Sequence, residues 1–206
     1  MGALIEYGIA ARTFPGEPVS GDRALIKPFS HGVLAAAVDG LGHGKMAGDA
    51  AEIAIATLDR HAAEPLPALI ERCHQALRST RGVAMSLASI NADEEMMTWL
   101  GVGNVDGLLL RIFASLPARE TLLMRGGVVG YQLPPLRAYH LAVSAGDLLI
   151  FATDGISSDF ATGLPIGDPL LRHQPVQEIA DRLLTRFGKL TDDALVLVMR
   201  YLGSVP

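Results

Sequence analysis

The stretch Gly32–Gly44, GVLAAAVDGLGHG, decides what kind of fold this chain can adopt. Residues 32–38 are small or apolar without interruption, which reads as a strand buried on both faces. The run ends in Asp39. The glycines at 40, 42 and 44 then form a turn that opens a helix at about 45–63, where Ala47, Ala50, Ala51, Ala54 and Leu58 recur at helical spacing.

Three further stretches share this make-up: Ser20-Gly21-Asp22, Thr153-Asp154-Gly155 and Thr191-Asp192-Asp193-Ala194. In each, a carboxylate caps or opens a run that reads as a buried strand. An isolated buried carboxylate is costly, whereas several converging on divalent cations compensate one another. The four turns are therefore expected to build one metal-binding cluster from distant parts of the chain.

Outward from these turns, residues 3–11 and 24–29 read as strands around a turn at Pro15-Gly16-Glu17-Pro18. A second helix fits 66–79. After Gly82, the runs 83–90, 95–103, 107–115 and 119–124 suggest a β-meander, with Asn104-Val105-Asp106-Gly107 as a hairpin-type turn. Residues 137–143 and 147–153 continue the sheet material. A third helix fits 175–187, with Pro175 in its first turn and Gly188 as its stop, and 194–201 closes the chain as a buried strand. No repeat or linker interrupts this order, so residues 1–206 are read as a single domain of strand-rich layers covered by helices.

Composition narrows the function. The 206 residues are 50% hydrophobic with mean hydropathy +0.32, which excludes a disordered chain. Net charge is −5 and no basic block occurs, so neither nucleic acid nor an anionic membrane is an expected partner. Cys73 is the single cysteine and cannot form an intramolecular disulfide. There is no leader-like apolar segment at the N-terminus and no run of the roughly 20 apolar residues that span a bilayer, so a cytoplasmic location is expected.

The ligand types on offer are oxygens, which favour Mg²⁺ or Mn²⁺; no Cys or His pair has zinc spacing. Two such ions about 3.5–4 Å apart can share a water, acidify it and aim it at phosphorus. A lone Asp-Gly is also an ordinary turn, so the specificity lies in the ordered set. The segment from Gly40 to Lys45 superficially suggests a P-loop, but Asp39 stands where the first glycine belongs and Met46 replaces the Ser or Thr.

SGD at 20–22, VDGLGHG at 38–44, ATDG at 152–155 and DDALVLVM at 192–199, with GVGNV at 101–105 between them, resemble the PP2C-type (PPM) metal-dependent protein phosphatases. Within that family the likeness is to the bacterial SpoIIE/RsbX-like branch. It implies an α+β fold, a PP2C-like four-layer αββα sandwich of two packed antiparallel β-sheets flanked by helices, with two Mn²⁺ or Mg²⁺ ions at one end. Carried over, Asp39 bridges both ions, the Gly40 carbonyl completes one site, and Asp154 and Asp192 are further ligands. Asp22 lies on the ions or beside them, and Asp193 and Gly155 support the cluster. The implied activity is hydrolysis of phosphoserine or phosphothreonine on signalling proteins, by direct attack of a metal-bridging hydroxide. The implied substrates are phosphorylated stressosome proteins with STAS domains.

Several positions depart from the family. Ser158 stands where many relatives carry an acid for a third ion. Glu17 stands where the eukaryotic branch has a phosphate-binding Arg, which leaves phosphate recognition to the metals. The segment 125–147 leaves little room for a flap, which implies an open site. His43 follows Asp39 at a spacing unlike that of the eukaryotic histidine; it is a candidate general acid or a turn and partner contact. His31, His61, His74, His140 and His173 read as surface or packing residues, Met96, Met97 and Trp99 as sheet packing, and Arg12 and Arg23 as solvated. Two rival readings remain: a metal-dependent small-molecule phosphoesterase, and a non-catalytic pseudophosphatase binding module.

Overall fold

The elements run in chain order β1 (Ile5–Arg12), β2 (Asp22–Phe29), β3 (Gly32–Gly40), α1 (Lys45–His61), α2 (Leu66–Ala76), β4 (Val83–Asn91), β5 (Met96–Val102), β6 (Asp106–Leu110), β7 (Arg119–Thr121), β8 (Tyr139–Ala142), β9 (Leu148–Ala152), α3 (Phe160–Gly163), α4 (Val176–Phe187) and β10 (Ala194–Tyr201). This computed structural model describes residues 3–111, 118–164, 171 and 173–203. The strands form two five-stranded antiparallel sheets, ordered β2-β3-β4-β5-β8 and β1-β10-β9-β6-β7.

Side-chain alternation turns these sheets into a four-layer sandwich. Successive residues of a strand point to opposite faces. In β3, Leu34, Ala36 and Val38 pack beneath α1 and α2, while Val33, Ala35 and Ala37 face the other sheet. In β10, Ala194, Val196 and Val198 pack under α4, while Leu195, Leu197, Met199 and Tyr201 fill the space between the sheets. Both strands are covered on both sides, which is why each reads as an unbroken apolar run. The alanines of β3 and α1 forgo the roughly 1.5–3 kcal/mol that a larger buried side chain contributes. In exchange they allow close approach: a Cβ on Gly40 would lie 2.2 Å from the Ala47 carbonyl oxygen.

The expected meander fails at Asn104–Gly107. β5 ends in the first sheet, pairing with β8 through Met96↔Ala142, whereas β6 begins in the second, pairing with β9 through Asp106↔Ala152. The turn is therefore a crossing between layers and not a hairpin. Gly103, at φ +95°, bends the chain, and the buried Ser86 hydroxyl holds the Val105 carbonyl at 2.6 Å. Smaller differences follow the same logic of local signals meeting tertiary packing. α2 stops at Ala76, Pro175 precedes α4 as its cap, and Gly188 ends α4 with an ordinary φ of −69°. The run at 107–115 is strand only to Leu110, and residues 112–115 lie outside the described residues. The four-residue α3 carries no periodicity long enough to read from sequence.

Candidate active site

Register brings the first two acids together. Asp22 opens β2 and lies directly opposite Asp39, which sits inside the paired part of β3 and not beyond its end. Like charges facing each other across a strand pair are destabilising unless something neutralises them. The second sheet supplies the other two. Asp154 lies two residues past β9, Asp192 lies two residues before β10, and those strands are neighbours through Val196↔Ala152.

Thr153 fastens the two sheets at this point. Its hydroxyl donates to Asp22 Oδ2 at 2.7 Å and accepts the Leu195 N–H at 2.8 Å, and the residue is fully buried. Asp193 fastens the N-terminal loop: its buried carboxylate accepts the N–H groups of Phe14 and Gly21, each at 2.7 Å. Gly155 is required by close approach, since a Cβ there would fall 1.8 Å from the Asp193 carbonyl oxygen. Asn104 Nδ2 donates to Asp154 Oδ2 at 2.6 Å, and Lys189 Nζ donates to the Asp154 carbonyl at 2.6 Å. The Asp193 N–H donates to Asp192 Oδ1 at 2.9 Å.

The electrostatics are those of a cluster short of positive charge. Burial pushes the Asp39 carboxyl up to about 8, and Asp22, Asp154, Asp192 and Asp193 push in the same direction. Burial likewise lifts Asp22 to about 7, against the Thr153 hydrogen bond and with help from Asp193, Asp154 and Asp192. Asp154 is raised by burial and by Asp192, with Lys189 and Asn104 opposing. A divalent cation would reverse the sign of these terms.

The donor set fits hard ions of the Mg²⁺ type. Among the described residues, no three or more His, Cys, Asp or Glu side chains form a ready-made ligand set around one ion. Mg²⁺ does not need one, because it keeps several waters and takes one or two carboxylates. Four carboxylates and the Gly40 carbonyl are enough for two such ions. Gly21 helps leave that carbonyl accessible: a Cβ on it would sit 3.1 Å from the Gly40 oxygen.

His43 is exposed on the rim. Its Nδ1 pairs with Glu17 Oε1 at 2.7 Å and its ring packs on Phe14 with centroids 4.9 Å apart. Glu17, at the position where the eukaryotic branch has a phosphate-binding Arg, therefore holds a histidine. Arg12 and Arg23 are half-buried and tied to the backbone. Arg12 donates to the Lys189 carbonyl, and Arg23 donates to the Ser20 and Asp22 carbonyls at 2.8 Å each. The roles of Thr153, Asn104, Glu17 and Lys189 were not read from sequence. Only Thr153 and Asn104 had a signal, as members of the ATDG and GVGNV stretches. Cys73 is fully buried with its thiol pushed up to about 12, which excludes it as a nucleophile. A cavity of ≈ 610 Å³ lies elsewhere, lined by Phe29, His31, Leu66, Met96 and His140 at the far end of β2 and β3 from the acids.

The family model for stage II sporulation protein E (SpoIIE) matches residues 30–202. The phosphoserine phosphatase RsbX of Bacillus subtilis (strain 168) is 27% identical over 180 residues, covering 86% of this chain and 85% of that protein. A structure of RsbX in complex with magnesium superposes with a TM-score of 0.83 at 23% identity, covering 98% of this chain and 97% of the other. A structure from work on the bacterial stressosome as a modular system controlling secondary-messenger signalling has a TM-score of 0.86 and 31% identity, over 95% and 99% of the two chains. The PP2C phosphatase domain of SpoIIE from Bacillus subtilis has a TM-score of 0.73 at 22% identity, over 98% of this chain and 64% of the other.

Proposed function

The chain belongs to the SpoIIE family of PP2C-type metal-dependent serine/threonine phosphatases, and from that premise we propose how its site works and what it acts on. The observation that carries the proposal is the facing pair Asp22 and Asp39, whose carboxyls burial and neighbouring carboxylates push up, joined by Asp154 and Asp192 from the second sheet. Such a cluster is stable as a set of anions only around cations.

Asp39, Asp154, Asp192 and the Gly40 carbonyl would hold two Mg²⁺ or Mn²⁺ ions, with Asp22 beside them. When bound, such ions supply an acidified water and neutralise charge on the phosphoryl group. Asp39 sits between the two sheets' contributions and orients this centre. Thr153 fixes the Asp22 carboxylate by its hydrogen bond, and Asn104 fixes that of Asp154. Asp193 and Gly155 hold the backbone around the cluster. His43, with Nδ1 engaged by Glu17, would as the imidazolium give its Nε2 proton to the departing seryl oxygen and regain one from solvent.

The substrates are phosphorylated signalling proteins; similarity to a structure from work on the bacterial stressosome supports that class, and within it we take STAS-domain proteins as the targets. The whole chain acts as one phosphatase domain. No helix among the described residues is long and apolar enough to cross a membrane. Hydrolysis of p-nitrophenyl phosphate and of a phosphoserine peptide should require Mn²⁺ or Mg²⁺ and should disappear in Asp39→Ala. Full turnover in excess EDTA would overturn the proposal.

A further inference from the structure

Three loops meet at the acid end of the first sheet. β3 and β4 stay in register through Asp39↔Ala84 and Gly40↔Val83, and beyond them the Leu41 N–H donates to the Gly82 carbonyl at 3.1 Å. On the other side of Gly82, Val83 and Val129 exchange N–H···O bonds at 3.0 and 2.9 Å. A Cβ on Gly130 would lie 3.2 Å from the Gly82 Cα. The loops 40–44, 80–82 and 128–132 therefore form one contiguous edge next to the acids.

Arg81 stands in the middle of this edge. It is exposed, and a Cβ on Gly42 would come 2.8 Å from its Nη1, so its guanidinium lies over the glycine turn that follows Asp39. Other cations near this end have partners: Arg12, Arg23 and Lys189 donate to backbone carbonyls, and Lys45 pairs with Asp49 at 2.8 Å. Arg81 has no hydrogen bond or ion pair among the described residues. Around it the surface is apolar and open, with Leu41 at 36%, Met46 at 59% and Tyr131 at 82% exposure. A guanidinium is a rigid fork of donors matched to a carboxylate, and in this setting it marks a contact to an anionic group.

We propose that Arg81, flanked by Leu41, Met46 and Tyr131, is the docking rim for the substrate protein and pairs with an acidic side chain beside the phosphoserine. This deepens the phosphatase reading and rests on it. The rim is continuous with the strand that carries Asp39, so a protein seated on it places its phosphorylated residue over the acid cluster. The three flanking side chains cover apolar surface of the partner, and the unpaired Arg81 charge favours an acidic partner for a chain of net charge −5.

The test uses two phosphoserine peptides of equal length, one with Asp and Leu around the phosphoserine and one with Lys and Leu, together with p-nitrophenyl phosphate. The wild type should favour the Asp peptide in kcat/KM by about fivefold at low salt, the scale of an exposed ion pair. Arg81→Ala should erase the preference, and Arg81→Glu should reverse it toward the Lys peptide. A preference that survives Arg81→Ala, or no preference in the wild type, overturns the rim. A uniform loss on all three substrates with the peptide ratio kept places Arg81 on the phosphoryl group and also overturns it. These failures leave Mn²⁺-dependent turnover intact. If the wild type turns over none of the three substrates with Mn²⁺, the phosphatase reading fails and the rim falls with it.

Discussion

The two ends of the β2–β3 pair differ in a way that shows where chemistry sits in this molecule. At one end Phe29 and His31 border the ≈ 610 Å³ cavity, whose lining is neutral or ordinarily solvated. Its histidine His140 takes a 3.2 Å hydrogen bond with Thr98, and its Glu64 is already paired with Arg72 at 2.6 Å. At the other end Asp22 faces Asp39, and Asp154, Asp192 and Asp193 add like charge that Thr153, Asn104 and Lys189 only partly offset. The first end has volume and balanced charge. The second has charge that the protein alone does not balance. Function follows the imbalance, because an unbalanced cluster is a standing requirement for a ligand of opposite sign.

The largest expected effect breaks the comparison outright. Asp39→Ala should reduce Mn²⁺-dependent turnover by roughly 1000-fold or more, the scale of losing metal-ion catalysis. His140→Ala, at the cavity end, should change it less than about twofold, since a surface substitution away from the site is close to neutral. Steady-state rates on p-nitrophenyl phosphate decide it. A comparable loss in both variants would mean that the cavity belongs to the reaction.

The second effect concerns stability and its sign. Burial pushes Asp39 up to about 8 and Asp22 up to about 7 in the folded chain, against 3.8 for a free aspartate. Between pH 4 and 8 the folded state therefore binds more protons at these groups than the unfolded state. Their contribution to stability is fully present below about pH 4 and is lost as pH rises to about 8. In EDTA, Asp39→Asn should melt above the wild type by a margin that grows from pH 5 to pH 8. Added Mn²⁺ should stabilise the wild type more at pH 8 than at pH 6, because bound metal needs the deprotonated form. A margin that shrinks with pH would mean that the acid end is not the strained one. Melting temperatures at four pH values settle the sign.

Much of this contrast could be read before any coordinates. β3 and β10 were legible because both are apolar on both faces, and 194–201 ends where the strand ends. Asp22, Asp39, Asp154 and Asp192 were legible as candidates because each follows or precedes such a run. Other features were not legible, for physical reasons. Asn104–Gly107 has the residues of a hairpin, and nothing local says that the next strand joins the other sheet. Glu17 and His43 pair across 26 residues. Asp193 reads as a support for the cluster, but not as one that reaches back to the N–H groups of Phe14 and Gly21. In each case a long-range contact overrides what the local residue types suggest.

Backbone packing gives the third effect. Gly155→Ala forces a methyl against the Asp193 carbonyl oxygen at 1.8 Å, where no flexible side chain can yield. Overpacking of this kind should cost about 2 kcal/mol in denaturant unfolding and should weaken Mn²⁺ binding, since Asp154 and Asp192 flank the clash. Gly16→Ala meets nothing within 4 Å, although its φ of +98° leaves a smaller conformational cost. Equal costs at the two glycines would show that the acid end tolerates backbone shifts and that its geometry is not fixed.

The smallest effect tests whether the rim takes part in bond breaking or only in shape. Glu17 fixes the His43 ring by taking Nδ1, and Phe14 packs on its face. If Nε2 protonates the leaving oxygen, Glu17→Gln should slow hydrolysis of a phosphoserine peptide several-fold. It should leave p-nitrophenyl phosphate nearly untouched, because p-nitrophenolate departs without a proton whereas a seryl alkoxide does not. His140→Gln gives the matching change at the cavity end and should alter neither substrate. Equal slowing of both substrates by Glu17→Gln would assign His43 to the turn alone. Proton delivery would then have to come from solvent, which an open rim with Asp154 exposed would admit.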